Sequence, residues 1–142
     1  MILLDTNVIS ETMKGRAADS AVLAWLAAQR QGDLYTSTIT VMEILNGVAL
    51  LPLGARRQLL DQQAQLAIQE YQGRILDFDM MAAVAHAQLM ELFRTRGFTV
   101  TYADSQIGAI AAANGFAVCT RDVTPFRAMN IVCANPWTDP PG

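Results

Sequence analysis

The sequence contains few of the residues that build covalent cross-links or soft-metal sites. Its 142 residues include two cysteines, Cys119 and Cys133, and one histidine, His86. The cysteines lie far apart and form no CxxC pair, which excludes a disulfide framework and a thiolate zinc site. His86 falls inside a predicted helix, and the sequence pairs it with no nucleophile. We therefore interpret it as a packed or surface side chain rather than a catalytic base.

Long apolar runs and phosphate-binding loops are also missing. No stretch approaches the ~20 apolar residues that a membrane helix needs, and Met1 leads into a short apolar run without a basic leader region. We therefore expect a cytoplasmic protein with no membrane partner. The nine glycines form neither a P-loop nor a dinucleotide fingerprint, and the G-x-S-x-G pattern of serine hydrolases is not present.

The charge balance gives no direct sign of a nucleic-acid partner. The formal net charge is −3, from 13 acidic and 10 basic residues. If four of the acids belong to a metal site, the remaining nine nearly match the 10 bases. Nine of those 10 bases are arginine, with Lys14 as the exception, and arginine suits bidentate contact with phosphate. This composition gives weak support for a phosphate-containing partner.

The apolar residues, 52% of the chain, are enough for the core of one domain spanning residues 1–142. Short apolar segments alternate with amphipathic ones, which predicts an α/β class with a mainly parallel sheet. The predicted strands are 1–4, 34–37, 74–78, 116–120 and 130–133. The predicted helices are 7–14, 19–31, a segment from 38 through 51, 54–72, a long helix from the cap Asp79 to Gly97, and 102–114.

Four acidic residues stand where predicted strands end or where the following helices begin. Asp5 ends the first strand, and Glu43 lies in the first turns of the helix after the second strand. Asp104 opens the helix 102–114, and Asp122 follows the fourth strand by two residues. Because the carboxyl ends of parallel strands meet at one edge of a sheet, the sequence predicts that these four carboxylates share one pocket.

A pocket of carboxylates favours a hard cation. Clustered carboxylates repel one another and raise each other's pKa, so a fold keeps them together only when something offsets the repulsion. Oxygen ligands without histidine or cysteine suit Mg²⁺ or Mn²⁺. Such an ion keeps coordination positions for a phosphate oxygen and an attacking water, which points to phosphoryl chemistry.

Each acid also has a purely structural interpretation, because acidic residues commonly cap helices. The alternatives are an Asx turn of Asp5 with Asn7, a capping box of Thr40 with Glu43, a cap or first-turn acid at Asp104, and a cap at Asp122 before Pro125. Capping does not explain why all four acids fall on the same predicted edge.

Four segments of the chain together resemble a known family. They are Leu4-Asp5-Thr6-Asn7-Val8, Ile39-Thr40-Val41-Met42-Glu43, Ala103-Asp104 followed by Ile107, Ala109 and Ala111, and Thr120-Arg121-Asp122. In this order and spacing they resemble the motifs of PIN domains, and the match is closest to VapC-type toxins of bacterial toxin–antitoxin pairs. The ending Asn135-Pro136-Trp137 is similar to the FitB-like branch of those toxins.

The resemblance implies an α/β/α sandwich that cleaves RNA with Mg²⁺ or Mn²⁺. It also implies a homodimer and a small antitoxin, encoded beside it, that inhibits the enzyme and carries the pair to operator DNA. One departure is Gly108, where the family commonly has alanine. A glycine inside a helix is expected to loosen it by up to ~1 kcal/mol.

The resemblance also assigns roles to individual residues. Asp5 and Asp104 would be the principal metal ligands, and Glu43 and Asp122 would complete the site directly or through water. Hydrogen bonds from three further residues would support these acids: Thr6, Asn7 and Thr120. Beyond the resemblance, Arg121 is our first choice for a phosphate contact because it lies next to Asp122.

Two rival functions remain open at this point. One is a phosphotransferase-like hydrolase with Asp5 as nucleophile, although haloacid-dehalogenase-type sites require a second aspartate at the position of Asn7. The other is a non-catalytic module that acts by binding a partner protein, with its acids serving only as caps. Metal-dependent cleavage of RNA would separate both rivals from a nuclease.

Overall fold

The computed structural model describes residues 1–141, and its centre is a parallel sheet. The strands are β1 (Ile2–Leu4), β2 (Leu34–Ser37), β3 (Ile75–Leu76), β4 (Ala117–Cys119) and β5 (Cys133–Ala134). Their order across the sheet is β3-β2-β1-β4-β5, and every neighbouring pair is parallel. Leu3 of β1 stands opposite Tyr35 on one side and Val118 on the other. The predicted parallel sheet is confirmed.

Helices connect the strands and cover the sheet. They are α1 (Thr6–Thr12), α2 (Ser20–Ala28), α3 (Thr38–Ala49), α4 (Ala55–Glu70), α5 (Met80–Arg96), α6 (Tyr102–Asn114) and α7 (Thr124–Ala128), with 3₁₀ turns at Gly15–Ala17 and Gln31–Asp33. Within residues 1–141, every helix is too short or too polar to cross a membrane.

Two apolar clusters occupy the two faces of the sheet. Leu3 belongs to a cluster with α5, α6 and α7, and its neighbour Leu4 belongs to a cluster with α1, α2 and α4. Successive strand residues point to opposite faces, so these clusters are the two layers of an α/β/α sandwich. Each cluster has a large buried aromatic residue, Phe126 in the first and Trp25 in the second. The sandwich that the resemblance implies is therefore confirmed.

Local capping explains where several helices begin and end. The side chain of Asp79 accepts a hydrogen bond of 2.9 Å from the Ala82 amide at the start of α5. Gly97 ends that helix with a φ of 71°, a left-handed conformation that glycine adopts without a Cβ penalty. Both ends of α5 agree with the sequence prediction.

The structure departs most from the predicted elements in three places, while several other bounds differ by one or two residues. The helix predicted over 19–31 stops at Ala28, because Gln29 is extended with a ψ of 153°. The fifth strand is Cys133–Ala134 rather than 130–133, because Asn130 has a φ of 60°, which takes the chain out of the β conformation. The short helix α7 was not predicted as an element of its own.

Gly108 of α6 has a packing role that the sequence did not reveal. The residue is buried against Met129 and Ile131, which follow α7. A Cβ added at Gly108 would overlap the Met129 sulfur and lie 3.3 Å from the Ile131 Cδ1. Because glycine has no methyl group, this segment can approach the helix backbone closely. The close packing is obtained together with the lower helix propensity of glycine.

Candidate metal centre at the acid edge

Strands β1, β2 and β4 end at the same side of the sheet, where the predicted acids lie. Asp5 directly follows β1, and its backbone amide donates to the Cys119 carbonyl at the end of β4 over 3.0 Å. The side of the sheet that carries Asp5, Glu43, Asp104 and Asp122 is called the acid edge below. Of these acids only Asp5 is fully buried, at 4% exposure.

Asp5 is held by three hydrogen bonds at the start of α1. Its Oδ1 accepts from the Thr6 amide over 2.7 Å. Its Oδ2 accepts from Asn7 Nδ2 over 2.9 Å and from Thr120 Oγ1 over 2.7 Å. Asp5 is therefore also the N-cap of α1, although it accepts from the Thr6 amide and from the Asn7 side chain rather than from the Asn7 amide of an Asx turn. Asn7 and Thr120 both contact Asp5, and their supporting role in a metal site stays a prediction.

The environment of Asp5 opposes its negative charge. Burial is the largest effect and raises its pKa from 3.8 to about 6. The hydrogen bonds from Thr120 and Thr6 act in the opposite direction, and the charges of Asp104 and Glu43 raise the pKa further. Glu43 and Asp104 therefore each lie close enough to Asp5 for their charges to act on it. A bound cation would offset that repulsion.

Glu43 is held at the acid edge by a hydroxyl group and does not form a capping box. Thr6 Oγ1 donates to Glu43 Oε1 over 2.6 Å. The N-cap of α3 is Ser37, whose side chain accepts from the Thr40 amide over 3.1 Å, so the proposed pairing of Thr40 with Glu43 as a cap is wrong. Thr40 instead lies beneath the site, with its hydroxyl 3.5 Å from that of Thr6.

Asp104 lies in the first turn of α6 and is partly exposed. It is not the N-cap, because Thr101 takes that place and accepts a hydrogen bond of 3.1 Å from the Asp104 amide. The Asp104 carboxylate is free of side-chain hydrogen bonds to any residue the structure describes, and its charge acts on Asp5.

Asp122 is the most loosely placed of the four acids. It is exposed, and its Oδ1 accepts from the Thr124 amide over 3.3 Å. Its own amide donates to Thr120 Oγ1 over 3.2 Å, so the threonine that fixes Asp5 also fixes the backbone of Asp122. The carboxylate thus lies just before α7, close to the position of a helix cap before Pro125, which was the structural interpretation of this residue.

The acids share one edge without closing into a cage. In the part of the chain covered by the structure, no three histidine, cysteine, aspartate or glutamate residues lie close enough together to hold a metal ion between them. The donor set nevertheless fits a hard cation, because it consists of carboxylate oxygens supported by hydroxyl and amide groups. An open carboxylate set is also what Mg²⁺ requires, since this ion usually keeps several water ligands.

Arg121 lies between the acid edge and the C-terminal segment. Its amide donates to Asn7 Oδ1 over 3.1 Å, while its guanidinium stacks on the Trp137 ring, 4.1 Å from the ring centroid. The Glu11 carboxylate lies 3.9 Å from the same guanidinium. Glu11 and Trp137 were not singled out as individual site residues, because no local sequence signal links them to Arg121.

His86 takes no part in the acid edge contacts. Ser105 Oγ donates to the Tyr102 carbonyl over 2.8 Å, so the hydrogen bond of 2.9 Å between His86 and Ser105 runs from the His86 Nε2–H to the serine oxygen. This bond ties α5 to α6. His86 is half-buried, which agrees with its interpretation as a packed or surface side chain.

A family model and several curated proteins match this chain over most of its length. The family model described as the PIN domain matches residues 2–131. The chain is 46% identical over 138 residues to the plasmid stability protein StbB of Pseudomonas syringae pv. tomato, covering 96% of this chain and 99% of that protein. It is 44% identical to the VapC ribonuclease Y4jK of Sinorhizobium fredii, covering 96% and 98%. It is 40% identical to the toxin FitB of Neisseria gonorrhoeae, covering 98% and 100%.

A solved structure of similar sequence shares the whole fold. The structure of FitAB bound to a DNA fragment contains a chain that is 39% identical to this one. The two superpose with a TM-score of 0.87 and cover 96% of each other. The similarity of fold therefore extends through both layers of the sandwich.

Proposed function

The chain belongs to the PIN domain family, and we propose that it is a ribonuclease that hydrolyses RNA phosphodiester bonds with Mg²⁺ or Mn²⁺. In this proposal residues 1–142 form one PIN domain, the toxin of a toxin–antitoxin pair acting on RNA in the cytoplasm. The observation that carries the proposal is the buried carboxylate of Asp5, whose pKa is raised to about 6 next to two further acids.

The proposed metal ligands are the four acids of the acid edge. Asp5 and Asp104 are the principal ligands, and Glu43 and Asp122 complete the set directly or through water. A bound divalent cation supplies Lewis-acid polarisation of a phosphate oxygen and a more acidic water.

The remaining residues position these acids. Thr120 and Asn7 hold Oδ2 of Asp5, which leaves Asp5 one fixed orientation. Thr6 donates to Glu43 and thereby joins the start of α1 to α3. Side chains that orient ligands in this way commonly change metal affinity or activity by roughly 10–100-fold when they are removed.

The test is a cleavage assay on a mixed RNA substrate with Mg²⁺, with Mn²⁺ and with excess EDTA. We expect cleavage with either metal and none in EDTA. The matched control is Asp104→Asn, which keeps the shape of the side chain and removes its charge, and we expect no cleavage by this variant. Full activity in EDTA would overturn the metal mechanism.

The proposal includes three associations. We propose that the protein forms a homodimer. We also propose that it binds a small antitoxin of the VapB or FitA type, encoded beside it, and that the antitoxin carries the pair to operator DNA. The support is the similarity to the FitB chain and to FitAB, whose structure was solved on DNA. A basic side chain of the antitoxin would pair with the carboxylates of the acid edge and block cleavage. A purified complex that cleaves RNA at the full rate would overturn this mode of inhibition.

One alternative has an observation in its favour. Because the acids do not close around an ion in residues 1–141, a non-catalytic module that acts through a partner protein is the second candidate. It predicts no metal-dependent cleavage and no stabilisation by Mg²⁺. The other rival, with Asp5 as a nucleophile, has little support, because both Asp5 oxygens already accept hydrogen bonds and Asn7 replaces the second aspartate.

A further inference from the structure

The guanidinium of Arg121 is fixed in place while its hydrogen-bond donors remain available. It stacks on the face of Trp137, and the side chain keeps 59% exposure. Across residues 1–141 its N–H groups make no hydrogen bond, and its nearest charged neighbour is Glu11 at 3.9 Å. Stacking uses the face of the guanidinium, so its in-plane donors can still bind an anion in bidentate fashion.

Glu11 is a rigid neighbour for this cation. Its carboxylate is buried, and it accepts from Lys14 Nζ over 2.7 Å and from the Asp19 amide over 2.9 Å. The Lys14 and Asp19 hydrogen bonds are the main reasons why the pKa of Glu11 lies below its usual range. Lys14 already forms the close ion pair with Glu11. Arg121 is therefore attracted to this carboxylate at 3.9 Å, while its own hydrogen-bond donors stay available.

Trp137 is fixed just as firmly. Its amide donates to Asn135 Oδ1 over 3.0 Å, while Asn135 Nδ2 donates to the Arg121 carbonyl over 3.2 Å. Pro136 between them is fully buried, and the Trp137 ring packs on the apolar cluster that contains Leu4. The C-terminal segment 135–137 therefore holds both the backbone and the side chain of Arg121.

The position of Arg121 relates it to the acids. Asn7 binds the Arg121 amide with Oδ1 and Asp5 with Nδ2, so one side chain sets the place of both residues. We propose that Glu11 and Trp137 are positioning residues that hold the Arg121 guanidinium beside the acid edge, where it binds one phosphate of the RNA strand. This inference rests on the proposed function, because it deepens how that site takes its substrate.

The test measures RNA binding apart from cleavage. A labelled single-stranded RNA oligonucleotide is titrated with the Asp104→Asn protein at several salt concentrations, and each further change is made in that background. We expect Arg121→Ala to weaken binding and to make the salt dependence shallower by roughly one unit, as for one lost phosphate contact. Arg30→Ala is the control, because Arg30 is exposed and precedes β2 at the opposite edge of the sheet. We expect it to change neither value.

The positioning residues are tested by whether they act through Arg121. We expect Trp137→Leu and Glu11→Gln each to weaken binding by about 3–10-fold, as for a side chain that must be immobilised on binding. The same changes should have no further effect once Arg121 is alanine. Trp137→Phe should retain binding, because it keeps an aromatic face and the indole N–H has no partner in residues 1–141. In the cleaving protein, Trp137→Leu should raise KM and leave kcat nearly unchanged.

Each outcome decides a different question. If the parent binds no RNA at any salt concentration, both this inference and the proposed function fail. If the parent binds RNA and Arg121→Ala leaves the affinity and the salt dependence unchanged, only this inference fails. If Trp137→Leu and Glu11→Gln weaken binding equally with and without Arg121, their role is structural and the positioning assignment is wrong. Urea melts of each variant identify one that fails to fold, and Trp137→Phe and Glu11→Gln provide separate routes to the same answer.

Discussion

The two sides of the acid edge differ in how the fold holds their carboxylates. Asp5 and Glu43, the anchored side, accept short hydrogen bonds from hydroxyl groups of Thr120 and Thr6. Asp104 and Asp122, the open side, are partly or fully exposed, and Asp122 accepts only a long bond of 3.3 Å. The fold thus fixes one pair of carboxylates by hydrogen bonds and leaves the other pair more accessible to solvent.

Removing one charge from either side should have the largest effect. We expect Asp5→Asn and Asp104→Asn each to reduce metal-dependent RNA cleavage by roughly 10²-fold or more, because a metal ion contributes several kcal/mol to the transition state and ~1.4 kcal/mol corresponds to tenfold in rate. Initial rates at saturating Mg²⁺ measure the effect. A variant on the open side with the parent rate would remove Asp104 from the proposed ligand set.

The pH dependence of stability should separate the two sides next. Because folding raises the pKa of Asp5 from 3.8 to about 6, the folded state binds the Asp5 proton more tightly than the unfolded state does. This contribution to stability is fully present below pH ~4 and is lost as the pH rises through ~6, amounting to about 3 kcal/mol at most.

Urea melts of the metal-free protein between pH 4 and pH 7 measure this loss. The free energy of unfolding of Asp5→Asn should increase relative to the parent as the pH rises from 4 to 6, and the difference should level off above that. Asp122→Asn is the control from the open side, and its curve should follow that of the parent. Parallel curves for Asp5→Asn and the parent would show that the Asp5 charge is not opposed by its surroundings.

The hydroxyl group that anchors Glu43 should have an intermediate effect. Thr6→Val keeps the shape of the side chain and removes the donor to Glu43 Oε1. We expect it to weaken Mg²⁺ affinity or cleavage by roughly 10-fold, the lower end of the range for residues that orient ligands. Thr6→Ser retains the hydroxyl and should stay close to the parent. Equal loss in both variants would mean that the methyl group of Thr6 matters rather than its hydrogen bond.

The smallest expected effect is on stability at the open side. If Asp104 is repelled by Asp5 and Glu43, Asp104→Asn should leave the metal-free protein as stable as the parent or up to roughly 2 kcal/mol more stable. If Asp104 is only a first-turn acid, the same change should cost roughly 0.3–1 kcal/mol. Because Asp104 is partly exposed, we expect a smaller gain than for Asp5→Asn.

Urea melts in EDTA decide between these signs, and melts with Mg²⁺ give a second comparison. Metal should stabilise the parent by mass action and stabilise Asp104→Asn much less. A destabilised variant with an unchanged response to Mg²⁺ would favour the capping interpretation.

The sequence predicted those strand and helix bounds that depend on residues close together along the chain. The strand Leu34–Ser37 and the helix Tyr102–Asn114 have the predicted bounds, because apolar periodicity and capping residues are local signals. The placement of the four acids at one edge of the sheet was predicted from the rule that the carboxyl ends of parallel strands meet there. Whether these acids bind a metal stays a prediction.

Contacts between distant segments were not predictable in the same way. Thr120 lies 115 residues from its partner Asp5, and the sequence suggested this pairing only through the resemblance to a family. Thr40 illustrates the opposite error, since a local pattern suggested a capping box with Glu43, while Ser37 takes the cap in the structure. The contacts of Arg121 with Glu11 and Trp137 have no local pattern at all.

The contact between Gly108 and Met129 links the side chains that these two positions can accept. Alanine at position 108 would favour the helix by up to ~1 kcal/mol, but its methyl group needs the volume that the Met129 sulfur occupies. Alanine at position 108 therefore requires the end of the flexible Met129 side chain to move, whereas a shorter side chain at position 129 would leave room for the methyl group. Alanine at position 108 should therefore be accommodated more easily when the side chain at position 129 is shorter than methionine.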